Sequence, residues 1–411
     1  MRVLLINNVH YRRGGADIVY LNTGDLLRKR GHEVIFFSQK DERNCPAETS
    51  SYFIDPVDYF GKSTLGKLLS VPRFLYSKEA GRKLGQLIRD HRPDIAHIHL
   101  YKGSLTPAIL PVLKKEGIPT IATLHDYGFL CPHYLFLDGE MKVCEKCLKG
   151  PEFNAILNRC NRNNLAMSAI SFLEYEFQKT FFPFDEYFDV IIAVSEFCRE
   201  KHLASRKFSW DVRHLYNFYP DLETTTVEPR KGDYMLFLGR LSKEKGIATL
   251  VEAWRRASRS STLKVAGTGE LQGKLVVTPE DKIEFLGYKG GSELRDLIRG
   301  ASFLIVPSEW YENNPLSIVE AYANGKPVIG ADIGGIPEIV VNGETGFLFE
   351  TRNVDDLALK IQEAEAIGLE RYETMSQKAR RFAEEHFSPS DHYEKLMNIY
   401  ESAINKSGKK R

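Results

Sequence analysis

Short, continuous apolar runs alternate along the whole chain with segments of helical spacing, and this alternation limits the fold more than any other property of the sequence. In the first half the runs are Val3–Ile6, Glu33–Ser38, Ile95–Leu100, Thr120–Leu124 and Val190–Val194. In the second they are Tyr234–Leu238, Thr262–Ala266, Ile283–Leu286, Phe303–Val306, Pro327–Ile329 and Gly346–Phe349, with helical stretches such as Gly246–Arg256 and Ser292–Arg299 between them. Strands apolar on both faces belong to parallel sheets covered by helices on each side, so the expected class is α/β with doubly wound, Rossmann-like sheets. Residues 217–232 are polar, punctuated by proline and aperiodic, which places a boundary near 220 to 232. A length of 411 residues accommodates two such units. Sheets of this kind collect ligands at the carboxyl ends of their strands, and two of them joined by a linker share one cleft there.

Charge and targeting signals narrow the class further. Lys and Arg total 56 against 55 Asp and Glu, a balance that excludes a protein capturing nucleic acid through a global positive field. The start, Met-Arg-Val-Leu-Leu-Ile-Asn-Asn, has too short an apolar run for a signal-peptide core, and no later stretch approaches the roughly 18 to 20 apolar residues that span a bilayer. A cytoplasmic location is expected, with peripheral contact at the inner face of the membrane left open. Of six cysteines, four fall between Cys131 and Cys160, a clustering typical of metal ligands in a reducing compartment.

Four motifs follow strands. The most informative runs from Ser308 to Val328, with Glu312 on a loop and Glu320 on a helix that begins at about Pro315 and ends at Gly325 and Pro327. Unpaired N–H groups around Asn314 to Ser317 make an anion site at that helix start, and a carboxylate beside it fits a ligand with phosphate in the middle and hydroxyls at both ends. An exposed loop and helix is the plainer reading of the same spacing. After the first strand past the linker, Gly239 permits close backbone approach, while Arg240 and Lys245 offer a planar fork and a point charge suited to a diphosphate. Gly14 and Gly15 form a turn after the first strand that is neither a dinucleotide fingerprint nor a P-loop. His125 ends the strand Thr120–Leu124, with Asp126 as its natural orienter or a helix cap.

In this order and at these strand ends, the four runs resemble glycosyltransferase family 4, whose members are retaining transferases of GT-B architecture. The resemblance covers nearly the whole chain and is tightest from Glu312 to Val328, then at Gly-Gly-Ile-Pro-Glu338 and Asn-Gly-Glu-Thr-Gly346. It implies that Glu312 contacts donor-sugar hydroxyls, that Glu320 holds the nucleotide ribose, and that Arg240 and Lys245 bind the donor diphosphate. Amides around Asn314, Pro315 and Leu316 assist them, Gly14, Gly15 and Gly239 lie beside the nucleotide, and His125 lies near the donor sugar. The implied activity is retaining, metal-independent hexosyl transfer from a nucleoside-diphosphate sugar to a glycan or lipid-linked glycan in surface polysaccharide or lipopolysaccharide biosynthesis. Asn313 to Leu316 replaces the Gly-Phe or Pro-Phe-Gly that often follows the first Glu, and this bears on sugar preference. The implied organisation is an acceptor-binding unit over 1–220, a donor-binding unit over 221–387, and a C-terminal helix with a frayed basic tail over 388–411 that packs back on the first unit. A sugar-nucleotide epimerase or hydrolase of the same fold is the alternative within the class.

Cys131, Cys144, Cys147 and Cys160 follow Cys-x12-Cys-x2-Cys-x12-Cys, with His133 nearby, in an insertion of about 131–164 poor in apolar residues. Four thiolates make a closed tetrahedral set, so a structural zinc is weighed against ordinary thiols, and a non-catalytic zinc-stapled binding protein is a second alternative. Between Pro56 and Lys115 there are eleven Lys or Arg against four Asp or Glu, and 172–188 is dense in aromatics. Contact with anionic lipid is weighed there against a solvated helix face and a buried core segment.

Overall fold

The computed structural model describes residues 1–56, 75–205, 209 and 211–409. Two six-stranded parallel sheets form the frame. The first comprises β1 (Arg2–Asn7), β2 (Glu33–Phe37), β3 (Ile95–Leu100), β4 (Thr120–Leu124), β5 (Val190–Ala193) and β6 (Val212–His214), ordered β2-β1-β3-β4-β5-β6. The second comprises β7 (Tyr234–Leu238), β8 (Thr262–Ala266), β9 (Ile283–Gly287), β10 (Ala301–Val306), β11 (Val328–Ala331) and β12 (Gly346–Phe349), ordered β12-β11-β10-β7-β8-β9. The doubly wound α/β class read from the apolar runs is the class observed. Only β6 had no counterpart among those runs: it is a three-residue edge strand in which Val212 alone is buried.

The alternation of strand side chains builds a core on each face of the first sheet. Leu4 and Ile6 join Ile35, Phe37, Ala96 and Ile98 on one face, while Val3 and Leu5 join Phe36, Ile95, Ile121 and Ile192 on the other. That second face is closed from the far end of the sequence, by Leu396, Ile399, Tyr400 and Ala403 of the helix Pro389–Lys409. His97 on β3 hydrogen-bonds Tyr400 Oη at 2.9 Å. The basic stretch from Lys406 starts inside this helix, where Lys406 pairs with Asp211; residues 410–411 lie outside the described residues.

Between β4 and β5 the chain makes the cysteine-bearing insertion, the short helices Lys146–Lys149 and Asn154–Leu157, and the long helix Leu165–Phe181. The two crossings between halves touch each other: Tyr219 N donates to Phe387 O at 3.0 Å and Ser388 Oγ to Glu223 Oε1 at 3.2 Å. Part of the basic stretch from Pro56 to Lys115, residues 57–74, lies outside the described residues.

Candidate functional site

The carboxyl ends of the strands open on a cleft of about 1260 Å³. Gly14, Gly15 and His125 line it from the first half; Gly239, Arg240, Lys245, Glu312, Asn314, Pro315, Leu316 and Glu320 line it from the second. All eleven residues singled out for donor chemistry thus share one cavity.

The loop after β10 brings Glu312 against the loop after β7. Lys245 Nζ donates to Glu312 Oε1 at 2.6 Å, and Ser308 Oγ donates to the same oxygen at 2.6 Å. Burial pushes the Glu312 carboxyl up, but the Lys245 charge and the hydrogen bonds outweigh it and leave the group below the usual carboxylate range. Lys245 also lies 5.0 Å from the centre of the Trp310 ring. Arg240 Nη2 pairs with Glu244 Oε1 at 2.8 Å, and its side chain remains 61% exposed to the cleft.

The helix Leu316–Ala323 begins at Pro315 without a side-chain cap. Asn217 fixes the approach to it: its N–H donates to Asn314 Oδ1 at 2.9 Å and its Nδ2 donates to Asn314 O at 3.0 Å. Asn313 Oδ1 and Asn314 Nδ2 are buried, and neither has a hydrogen-bond partner among the described residues. A helix start with free amides beside such atoms suits a polar, anionic ligand. One turn further on, burial pushes the half-buried Glu320 carboxyl up to about 7, opposed by the charge of Arg12 from the first half. The halves come close here, since a Cβ on Gly15 would lie 3.9 Å from a methyl of Leu316.

His125 takes a different partner from the one expected. Its Nε2 faces His99 Nδ1 at 2.9 Å with the rings stacked, while Asp126 Oδ1 accepts from Gly128 N at 2.8 Å and closes a local turn. Burial pushes His125 down to about 3 and His99 well below its ordinary value, so both imidazoles are neutral at physiological pH. His99 was missed although a signal was present: β3 carries two histidines, and while His97 is spent on Tyr400 and Thr123, His99 lies one residue from the carboxyl end of the strand, where ligands collect. Asn217, Glu244 and Trp310 had no comparable sequence signal.

The expected tetrathiolate is not assembled. Burial, with Cys131, Cys144 and Cys147 as neighbours, pushes the Cys160 thiol up to about 12, so the four cysteines share a neighbourhood. Yet among the described residues no three His, Cys, Asp or Glu side chains are placed to hold a metal ion. Cys147 Sγ points to Glu152 O at 3.6 Å, and Cys144 Sγ accepts from Asn158 Nδ2 at 3.8 Å.

Two doubly wound sheets turning their strand ends on one cleft, with cations, carboxylates and a helix start on one wall, define the GT-B class. The sequence profile of Glycosyltransferase Family 4 matches residues 13–220, that of Glycosyl transferases group 1 matches residues 221–382, and the chain belongs to glycosyltransferase family 4. It is 24% identical over 409 residues to N-acetyl-alpha-D-glucosaminyl L-malate synthase of Bacillus anthracis, covering 95% of this chain and 93% of that one. It is 27% identical over 167 residues to the putative colanic acid biosynthesis glycosyltransferase WcaL of Salmonella typhimurium, covering 38% and 41%. Among solved structures it resembles Anabaena HepE in complex with UDP and glucose, with a TM-score of 0.68 and 17% identity over 98% of this chain and 100% of that one.

Proposed function

We propose that this glycosyltransferase moves a sugar, with retention of anomeric configuration, from a nucleoside-diphosphate sugar to a glycan or lipid-linked glycan in surface polysaccharide assembly. The observation that carries the reading is the 2.6 Å contact between Lys245 and Glu312. A cation suited to a diphosphate touches a carboxylate suited to sugar hydroxyls, a pairing that fits the junction between phosphate and donor sugar, while the separate carboxylate of Glu320 is left for the ribose at the other end of the diphosphate. In this reading residues 221–387 hold the donor, residues 1–220 hold the acceptor, and the helix within 388–411 secures the acceptor half. Glu320 takes the ribose, Gly14, Gly15 and Gly239 allow the nucleotide close approach, and neutral His125 hydrogen-bonds the donor sugar. Support for the pathway comes from WcaL, named for colanic acid biosynthesis, and support for a uridine donor from HepE, bound to UDP and glucose.

The acceptor oxygen attacks the anomeric carbon from the face that the diphosphate leaves. The bond from that carbon to the phosphate oxygen breaks with its electron pair going to the diphosphate, which takes the acceptor's proton. Arg240, Lys245 and the backbone N–H groups of Asn314 and Leu316 stabilise the charge that develops on the leaving group, so the chemistry draws on fixed cations and does not require a divalent one. The test is Lys245→Ala, expected to lower turnover roughly 100-fold, as the loss of a preorganised charge donor does. Activity near that of the wild type removes the role. Nucleotide release that depends on added acceptor supports transfer; release at the same rate without acceptor indicates an epimerase or hydrolase. A thermal-shift series with UDP-, GDP- and dTDP-sugars identifies the donor.

A further inference from the structure

Two imidazoles meet where the neighbouring strands β3 and β4 end. His99 Nδ1 and His125 Nε2 are 2.9 Å apart, with the ring planes within 17° of parallel and the ring centres 5.2 Å apart. Both rings are neutral, because burial pushes His125 down to about 3 and His99 well below its ordinary value, so each carries a single N–H. One proton must lie between the facing nitrogens, since two bare lone pairs would repel and two N–H groups would clash. Neighbouring rings hold His99 in place: the His97 ring stacks on it at 4.4 Å and the Tyr20 ring meets it edge-on at 5.6 Å. His97 is itself fixed at both nitrogens, by Tyr400 Oη at 2.9 Å and Thr123 Oγ1 at 2.7 Å.

Which ring donates follows from the far side of each. His99 Nε2 is buried and has no hydrogen-bond partner among the described residues. If His125 donated, the His99 proton would sit on that nitrogen as a buried N–H without an acceptor, a rarer state in proteins than an unfilled lone pair. Two donors, the Lys102 ammonium and the Tyr101 hydroxyl, line the same small cavity as His99, and the Asp126 carboxyl there is turned to Gly128 N. A bare Nε2 suits those surroundings. We infer that His99 is a positioning residue that fixes the tautomer of His125: His99 Nδ1–H donates to His125 Nε2, and the His125 proton is confined to Nδ1. With Nε2 turned to β3, Nδ1 is the nitrogen left for the cleft that His125 lines. The inference rests on the reading of His125 as a contact of the donor sugar and adds the polarity of that contact. An N–H meets an oxygen lone pair and cannot accept a proton, so His125 is not the general base that a histidine at a strand end suggests. The acceptor's proton is left to the departing diphosphate.

Nuclear magnetic resonance of protein carrying isotopically labelled histidine tests this without any substrate, so its outcome is independent of the transfer reaction proposed above. Long-range proton–nitrogen correlations separate protonated from bare ring nitrogens, and the signals lost in His125→Gln are those of His125. In the wild type His125 should carry its proton on Nδ1, the form that a free imidazole side chain disfavours. His99→Leu should return the proton to Nε2 and lower kcat/KM at least about tenfold, as the loss of a positioned donor does. His99→Asn keeps a donor at the place of Nδ1 and should retain both the Nδ1 proton and activity within about threefold of the wild type. A melting temperature within a few degrees of the wild type shows that each variant is folded. The Nδ1 proton found in a protein without transferase activity would support the tautomer and sink the function proposed above. The inference is overturned if wild-type His125 is protonated at Nε2, if His99→Leu leaves the proton on Nδ1, or if both substitutions at His99 lower activity equally with the tautomer unchanged.

Discussion

At pH 7 the Glu320 carboxyl is divided between its two protonation states, because burial pushes it up to about 7 against the pull of Arg12. Its folded value lies above the ordinary 4.5, so the stability it lends is complete below about 4.5 and is lost as pH rises toward 7. Glu320→Gln removes that loss. The variant should melt at the temperature of the wild type near pH 4 and a few degrees higher near pH 8, followed by differential scanning fluorimetry across pH. The same change should weaken nucleotide-sugar binding about tenfold by calorimetry, since the amide replaces one of the two oxygens available to the ribose. That Glu312, Glu320, Arg240 and Lys245 gather at one cleft was legible in the sequence, because each follows a strand whose carboxyl end opens on it. The partners of these groups were not legible. Nothing in a linear sequence says that Glu312 meets Lys245, or that His125 turns to His99 and leaves Asp126 to its own turn.

Elements differ in how much of themselves they write into sequence. Strands with several consecutive apolar residues announce themselves, since both faces of a central parallel strand are buried, whereas β6 at the sheet edge buries only Val212 and gives no run. The cysteine insertion misled for a related reason: spacing brings the thiols near one another but does not aim them, and Cys147 and Cys144 are engaged by Glu152 and Asn158. The loop after β11 shows the opposite case, where one residue type is dictated by packing. Gly334 has φ +63°, and a Cβ there would strike the backbone of Glu312, whose carbonyl accepts from Gly335 N at 2.7 Å. Gly334→Ala must displace the segment that aims Glu312 and also adopt a left-handed backbone, at a penalty of roughly 1–2 kcal/mol. It should reduce kcat/KM more than tenfold in steady-state kinetics, because misplacing a reacting group by about 1 Å has that order of effect. Unchanged kinetics would mean that the loop does not govern Glu312.

Across the whole molecule, the same loop continues into a contact between the halves. Glu338 accepts from Glu196 N at 2.9 Å and from Phe197 N, the first amides of the helix Glu196–Ala204, and Tyr216 Oη donates to it at 3.2 Å. A carboxylate at a helix N-terminus completes amides that have no partner within the helix and meets the positive end of its dipole. On the other side of Glu312, Tyr311 Oη donates to Glu145 Oε1 of the cysteine insertion at 2.8 Å. Glu312 is therefore held between two bridges that both end in the first half, and the relative position of the halves reaches the cleft through backbone rather than through solvent. Glu338→Gln keeps the size of the side chain but replaces one acceptor oxygen with a donor that faces an N–H. Urea denaturation should show a loss of about 1 kcal/mol, as expected for a mismatched hydrogen bond at a half-buried site. Because Gly335 ties this segment to Glu312, the variant should also raise the donor KM more than it lowers kcat, whereas a defect confined to stability would leave KM unchanged at temperatures well below melting.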